Sequence, residues 1–254
     1  MHAMKCDRMQ LYAALEDEVS RSILARFNTL LKRRGRRIPA AYLTQHKEFF
    51  GLDFAVSPQV LIPRPETECL VERAVKLIKA KKWRRVYDIG TGCGNIAIAI
   101  VKTLPYVRVA ASDVSEPALR VARRNTQRHR VAARIKLVKS NLATHIRQAD
   151  LIIANLPYVP ESEPVSLEAL HEPRPAIFDP APDGLGSYRQ LFSDKLFGRF
   201  RGVVLIELQP RQYAPMRTWL RQKYSGIKTA PITNIDRQTW GLEADFSACG
   251  GESV

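Results

Sequence analysis

The run Tyr87-Asp88-Ile89-Gly90-Thr91-Gly92-Cys93-Gly94-Asn95 constrains this chain more than any other, because a short apolar strand enters it and an apolar helix leaves it. Three glycines at a strand-to-helix turn remove the side chains that would hold a nucleotide-like ligand away from the backbone. The turn does not stand alone. From Arg84 onward, β-rich runs at Val86 to Ile89, Val107 to Ala111, Ile135 to Val138, Leu151 to Ala154 and Val203 to Glu207 alternate with helical stretches. Those stretches fall near 95–103, 115–127, 187–198 and 211–223. Such alternation predicts βαβ units, a parallel sheet and helices on both faces. Ile232 to Phe246 lacks helical periodicity and is expected to add two antiparallel strands.

The second strand ends in Ser112-Asp113, 19 residues beyond Gly94, where a carboxylate can accept hydrogen bonds from two ribose hydroxyls. Both features suit a dinucleotide as well as S-adenosylmethionine. Three details favour S-adenosylmethionine. The glycine spacing is GxGxG, Asp88 sits two residues before the first glycine, and Asn155-Leu156-Pro157-Tyr158 directly follows the strand Leu151 to Ala154. A carboxylate at Asp88 would repel a pyrophosphate but can meet an ammonium group. The tetrapeptide lies at the carboxyl end of a parallel strand, where open α/β sheets bind ligands.

An amide or exocyclic amino nitrogen is a poor nucleophile, because its lone pair is delocalised into the neighbouring π system. Methylating it therefore depends on orientation. If the Asn155 side-chain oxygen and the Leu156 carbonyl each accept one N–H, the nitrogen is fixed for in-line transfer and its growing positive charge is stabilised. Tyr158 is positioned to stack on the flat group and exclude water. Taken alone, the tetrapeptide is a turn set by Asn155 and Pro157; joined to the glycine loop and Asp113 in this order, it becomes a candidate acceptor site.

Lys and Arg outnumber Asp and Glu 40 to 25, for a net charge of +15, a field suited to work near a polyanion. Among the basic residues only Lys32 to Arg37 form a compact cluster. Cys6, Cys69, Cys93 and Cys249 form no CxxC pair and the five histidines fit no zinc spacing, so no metal is expected. The N-terminus has acids where a signal peptide is apolar, and no run of about 18 apolar residues is present, so a cytoplasmic protein without a membrane span is expected. Leu11, Leu15, Val19, Ile23 and Phe27 recur every fourth residue and predict one amphipathic helix from Met9 to about Leu31. Glu48 to Val56 reads as a hairpin, and Pro65, followed by acids, as the start of a helix reaching about Ala80.

At these motifs the chain resembles the PrmC/HemK family, N5-glutamine methyltransferases that modify peptide-chain release factors. The resemblance extends to Ala41-Tyr42-Leu43, Lys47 to Leu52, Val60-Leu61-Ile62-Pro63-Arg64-Pro65-Glu66-Thr67-Glu68, Asp113 to Leu119, Glu172-Pro173-Arg174-Pro175-Ala176, Asp183-Gly184-Leu185 and Leu205-Ile206-Glu207-Leu208. It covers most of the stretch from about residue 40 to 210.

The resemblance implies an α/β fold, a doubly wound seven-stranded Rossmann-like methyltransferase sheet at 65–254. It further implies a helical substrate-recognition domain at 1–47 and a β-hairpin linker at 48–64. The acceptor it implies is the glutamine of the release-factor Gly-Gly-Gln loop. By residue-by-residue match, Gly90, Thr91, Gly92, Cys93, Gly94, Asp113, Val114, Asn141 and Leu142 are expected to line the cofactor, with Asn155 reaching it. Asn155, Leu156, Pro157 and Tyr158 are expected to hold the glutamine, with Phe49 of the hairpin beside it.

The family usually has NPPY, and Leu156 replaces its first proline; the NLPY form also resembles rRNA adenine dimethyltransferases. Asn141 stands where the family commonly has aspartate, and about 45 residues precede the hairpin, so a shortened helical domain is expected. The alternative function is therefore amino-group methylation of rRNA adenine or of a ribosomal-protein glutamine, and the basic surface is a candidate RNA contact.

Overall fold

The computed structural model describes residues 1–249; the last five residues of the expected methyltransferase domain, 250–254, lie outside the described residues. The chain begins with α1 (Arg8–Ala13), α2 (Arg21–Gly35) and α3 (Ala40–Thr44), followed by a hairpin of β1 (His46–Phe49) and β2 (Leu52–Ala55). The single helix expected from Met9 to Leu31 is thus broken between Ala13 and Arg21. Local capping explains the break: Asp7 and Gln10 form a capping box on α1, and Ser20 accepts from Ile23 N to start α2 afresh. Neither helix contains a buried residue, so the every-fourth-residue pattern does not mark a core face.

A 3-10 turn, Pro65–Thr67, leads into α4 (Glu68–Lys81). Alternation then proceeds as β3 (Arg85–Ile89), α5 (Asn95–Thr103), β4 (Arg108–Asp113), α6 (Glu116–Arg128), β5 (Ile135–Lys139) and β6 (Leu151–Ala154). A short pair, β7 (Val159–Pro160) and β8 (Phe178–Asp179), brackets α7 (Arg174–Ile177). The chain continues through α8 (Gly186–Phe192), β9 (Val203–Glu207), α9 (Tyr213–Lys223), β10 (Lys228–Thr233) and β11 (Thr239–Asp245).

Seven strands form one sheet in the order β10-β11-β9-β6-β3-β4-β5, with β11 antiparallel to both neighbours and the rest parallel. The chain runs outward from β3 to β5, then returns to lay β6 on the other side of β3, which places a topological switch point at the β3 and β6 carboxyl ends. Every residue of β6 and β9 is buried, as strands covered on both faces require. Leu151 and Ile153 pack with α4 and α5, whereas Ile152 and Ala154 pack with α8 and α9. The hairpin is attached through a buried side chain. Asn125 of α6 accepts from Ala55 N at 2.8 Å and donates to Ala55 O at 3.0 Å and Cys93 O at 2.9 Å, tying the hairpin to the glycine loop.

Candidate active site

A cavity of about 320 Å³ opens at the carboxyl ends of β3, β4 and β6, within the roughly 300–1,000 Å³ range of small-molecule sites. Gly90, Thr91, Gly92 and Cys93 form one wall, and Asp113, Val114, Asn141 and Leu142 form the next. Asn155, Leu156 and Pro157 close the far end. Two proline-containing segments form the rim and are tied to each other. Glu172, whose side chain is 2% exposed, binds Arg64 Nη2 at 2.5 Å and accepts from Ile62 N at 2.9 Å. That tie gives Ile62 to Glu68 and Glu172 to Ala176 a shared physical role.

The glycine-loop wall has the chemistry of a site for the adenosine and amino-acid parts of S-adenosylmethionine. A side chain at Gly92 would meet nothing within 4 Å, so the backbone there faces open space. The Asp113 carboxylate takes one backbone N–H on each oxygen, from Ser115 and from Gly92, both at 2.9 Å, which leaves further lone pairs for hydroxyls. Burial raises its pKa. Val114 beside it is 66% exposed, an apolar surface suited to a flat ring. Leu142 holds a left-handed backbone at φ +47°, strain of a kind that concentrates at ligand clamps.

Asp88 lies behind this wall, fully buried and outside the cavity lining. Its Oδ2 accepts from the Thr91 hydroxyl at 2.6 Å, and its Oδ1 has no hydrogen-bond partner among the described residues. Burial pushes its pKa up to about 7, the response of an acid that lacks a counter-charge.

The acceptor end is built from side chains that converge from separate segments. Asn155 Nδ2 donates to Thr67 Oγ1 at 3.1 Å and to Glu207 Oε2 at 3.0 Å. Both amide hydrogens are thereby engaged, and Oδ1 is left as the acceptor of a residue that lines the cavity. The Tyr158 hydroxyl donates to Glu207 Oε1 at 3.0 Å, and Tyr158 O accepts from Gln212 Nε2 at 2.8 Å. Leu156 N, absent from a proline, donates to the Tyr188 hydroxyl at 3.2 Å, and that hydroxyl donates to Glu207 O. The Leu156 carbonyl has only a 3.4 Å approach from the same hydroxyl, so its acceptor capacity remains. The two ends meet at Gly90, where a Cβ would stand 3.1 Å from Leu156 Cδ2 and φ is +72°.

The structure thus gathers most of the residues singled out from sequence around one cavity, but not all of them. Gly94 packs against Ala122 of α6 and is not part of the lining. Phe49 is 1% exposed, edge-on to Phe54 at 6.1 Å in the hairpin core, and does not reach the cavity because the hairpin turns that face onto the methyltransferase core. Tyr158 also lies off the lining, held by its hydroxyl.

Thr67, Tyr188 and Glu207, to which the sequence motifs assign no role, complete the site. Glu207 left a readable signal, a carboxylate ending the otherwise wholly apolar strand Val203–Glu207 beside the tetrapeptide strand. Burial raises its pKa to about 7 against the hydrogen bonds it accepts.

Known proteins share both parts of the chain. Residues 67–172 match the methyltransferase small domain family and residues 1–44 the PrmC N-terminal domain family. A release factor glutamine methyltransferase of Moorella thermoacetica is 39% identical over 193 residues, 74% of this chain and 68% of the relative. Those of Rhodopirellula baltica, 36% identical over 89% of this chain and 80% of the relative, and Chlorobaculum tepidum, 34% over 93% and 85%, extend the match across both regions. Among solved structures, the hMettl16 catalytic domain in complex with the MAT2A 3'UTR hairpin 6 superposes with a TM-score of 0.63 at 22% identity, covering 83% of this chain and 81% of that one. That likeness is one of fold.

Proposed function

The chain belongs to the release factor glutamine methyltransferase family, and we propose that its cavity methylates the side-chain amide nitrogen of the glutamine in a release factor's Gly-Gly-Gln loop. The carrying observation is that both Asn155 amide hydrogens are engaged by Thr67 and Glu207, which leaves an acceptor, not a donor, at the acceptor end of the cavity. A primary amide brings two N–H donors and needs such acceptors.

When bound, S-adenosylmethionine supplies an electrophilic methyl group on a sulfonium. Asp113 is assigned the ribose hydroxyls, and Val114 and Leu142 the adenine faces with Asn141 at its edge; Asp88, buried behind the glycine loop and off the cavity lining, is assigned to holding that loop through Thr91 and not to direct contact with the ammonium group. The Asn155 oxygen and the Leu156 carbonyl each take one N–H of the glutamine amide and turn its lone pair toward the methyl group. Both acceptors bind more tightly as the nitrogen becomes positive, so their effect is largest in the transition state. Pro157 helps close the far end of the cavity, and Tyr158, held by Glu207, keeps the tetrapeptide in shape.

Residues 1–47 are assigned to release-factor docking. Met9, Leu15 and Phe27 there are 82%, 68% and 50% exposed, more apolar surface than a free helix pair needs to show. Arg120, Arg123 and Arg124 share the exposed face of α6 without an ion pair among the described residues, and we assign that face to RNA near the site of translation. No helix among the described residues is long and apolar enough to cross a membrane. A cytoplasmic setting goes with this substrate.

Labelled methyl transfer tests the substrate class. The protein is incubated with S-adenosylmethionine and either an unmodified release factor or an unmodified ribosomal RNA fragment. Label in the release factor is the expected result. Label in the RNA alone would replace glutamine by an adenine amino group as the acceptor.

A further inference from the structure

The Asn155 side chain poses a problem that its own shape does not solve. Turning a primary amide by half a revolution exchanges oxygen and nitrogen at almost no steric cost, so the surroundings must select which atom faces the substrate. In one orientation Asn155 offers an acceptor to the incoming amide. In the other it offers N–H against N–H, and the site is closed to its substrate.

Thr67 cannot make this selection. Its hydroxyl lies 3.1 Å from Asn155 Nδ2, but a hydroxyl can donate as readily as it accepts and would satisfy either orientation unless Glu207 holds its one proton. Glu207 is different. Its carboxylate collects the Asn155 amide at 3.0 Å, the Tyr158 hydroxyl at 3.0 Å and the Thr67 hydroxyl, and while ionised it can only accept. A flipped Asn155 would set a carbonyl oxygen against that charge in a fully buried site, the costliest arrangement available there.

We infer that Glu207 is the positioning residue of the acceptor end, whose ionised carboxylate fixes the Asn155 amide with its oxygen toward the substrate and holds the Tyr158 ring by its hydroxyl. This inference rests on the reading of Asn155 as the acceptor of the glutamine amide. A glutamate here is a poor choice for stability alone, since burying a charge costs more than burying a leucine in the same strand. It is a good choice for rejecting one of two nearly equivalent orientations.

Protonation removes the discrimination, because a carboxylic acid can donate to the flipped oxygen. The titratable groups that face Glu207 are Tyr158, Tyr188 of α8, Cys69 of α4 and Glu66 of the 3-10 turn. Burial raises the pKa of both tyrosines and the cysteine above their ordinary values, so these stay neutral near pH 7, and Glu66 adds negative potential that favours protonation of Glu207. With Glu207 titrating at about 7, the active form gains population as pH rises through neutrality. Asp88 titrates in the same range, but it is retained in Glu207→Gln, so a neutral limb lost in that variant belongs to Glu207.

The test is single-turnover methylation of a release factor at saturating S-adenosylmethionine across pH 5.5 to 9, roughly 1.5 units or more on each side of the neutral limb. Wild type is compared with Glu207→Gln, Thr67→Val and Asn155→Ala, with thermal melts to confirm folding. The expected result is a wild-type rate that rises through pH 7, and a Glu207→Gln rate lower by about 10-fold, the loss of one charge-assisted hydrogen bond. Glu207→Gln should also lose the neutral limb while its cofactor affinity is unchanged, and Thr67→Val should keep the limb. A folded Glu207→Gln protein with the wild-type rate and the same limb would overturn the inference. If wild type transfers no methyl to glutamine, or Asn155→Ala matches it, the underlying reading of the site fails instead.

Discussion

The glycine-loop wall of the cavity and its acceptor end are held by different means. The wall is contiguous backbone. Gly90 to Cys93 supply space, and Asp113 is fixed by two neighbouring amides, so spare acceptor capacity and an exposed Val114 remain for a ligand. The acceptor end is a side-chain network in which Thr67, Tyr188, Glu207 and Gln212 converge on a tetrapeptide from four other places in the chain. A loop with open valences suits a ligand that brings its own polar groups. A network with two acceptors left over, Asn155 Oδ1 and the Leu156 carbonyl, suits a substrate that must be held in a single orientation.

The comparison predicts that damage at the two ends separates into different measurements. Asn155→Ala should have the largest effect, at least ~100-fold on transfer, as for loss of a preorganised acceptor that acts on transition-state charge. Cofactor affinity measured by calorimetry should barely move, and a large change there would join the two ends into one unit. Asp113→Ala should reverse the pattern, weakening S-adenosylmethionine binding about 10-fold for loss of a hydrogen bond to a charged group. At saturating cofactor its transfer rate should recover most of the way; a persistent deficit would place Asp113 in the transfer step.

Leu156→Pro should have the smallest effect, under about 10-fold on transfer. It removes the N–H that meets Tyr188, worth about 1 kcal/mol, while the Leu156 carbonyl stays and the backbone stiffens. A far greater loss, read in the same transfer assay, would mean that the Tyr188 contact aims the carbonyl.

The same contrast explains what the sequence made legible. The glycine loop, Asp113 and the tetrapeptide are contiguous, and hydrophobic alternation placed them on a parallel sheet, where β6 and β9 were found at the expected residues. Thr67 and Glu207 lie 88 and 52 residues from Asn155, and no local pattern pairs them. Phe49 lies outside the cavity lining. A motif match put it beside the substrate, whereas aromatic packing with Phe54 holds it in the hairpin core. At the N-terminus the periodicity from Leu11 to Phe27 was genuine but uncovered, and two local caps, at Asp7 and Ser20, divided what it predicted as one helix.

Tandem mass spectrometry of a release factor, after incubation with this protein and S-adenosylmethionine, tests the central claim most directly. The account predicts one added methyl group on the glutamine side chain of the Gly-Gly-Gln peptide and none elsewhere. An unmodified Gly-Gly-Gln peptide, with the methyl group found on another residue or only on RNA, would contradict it.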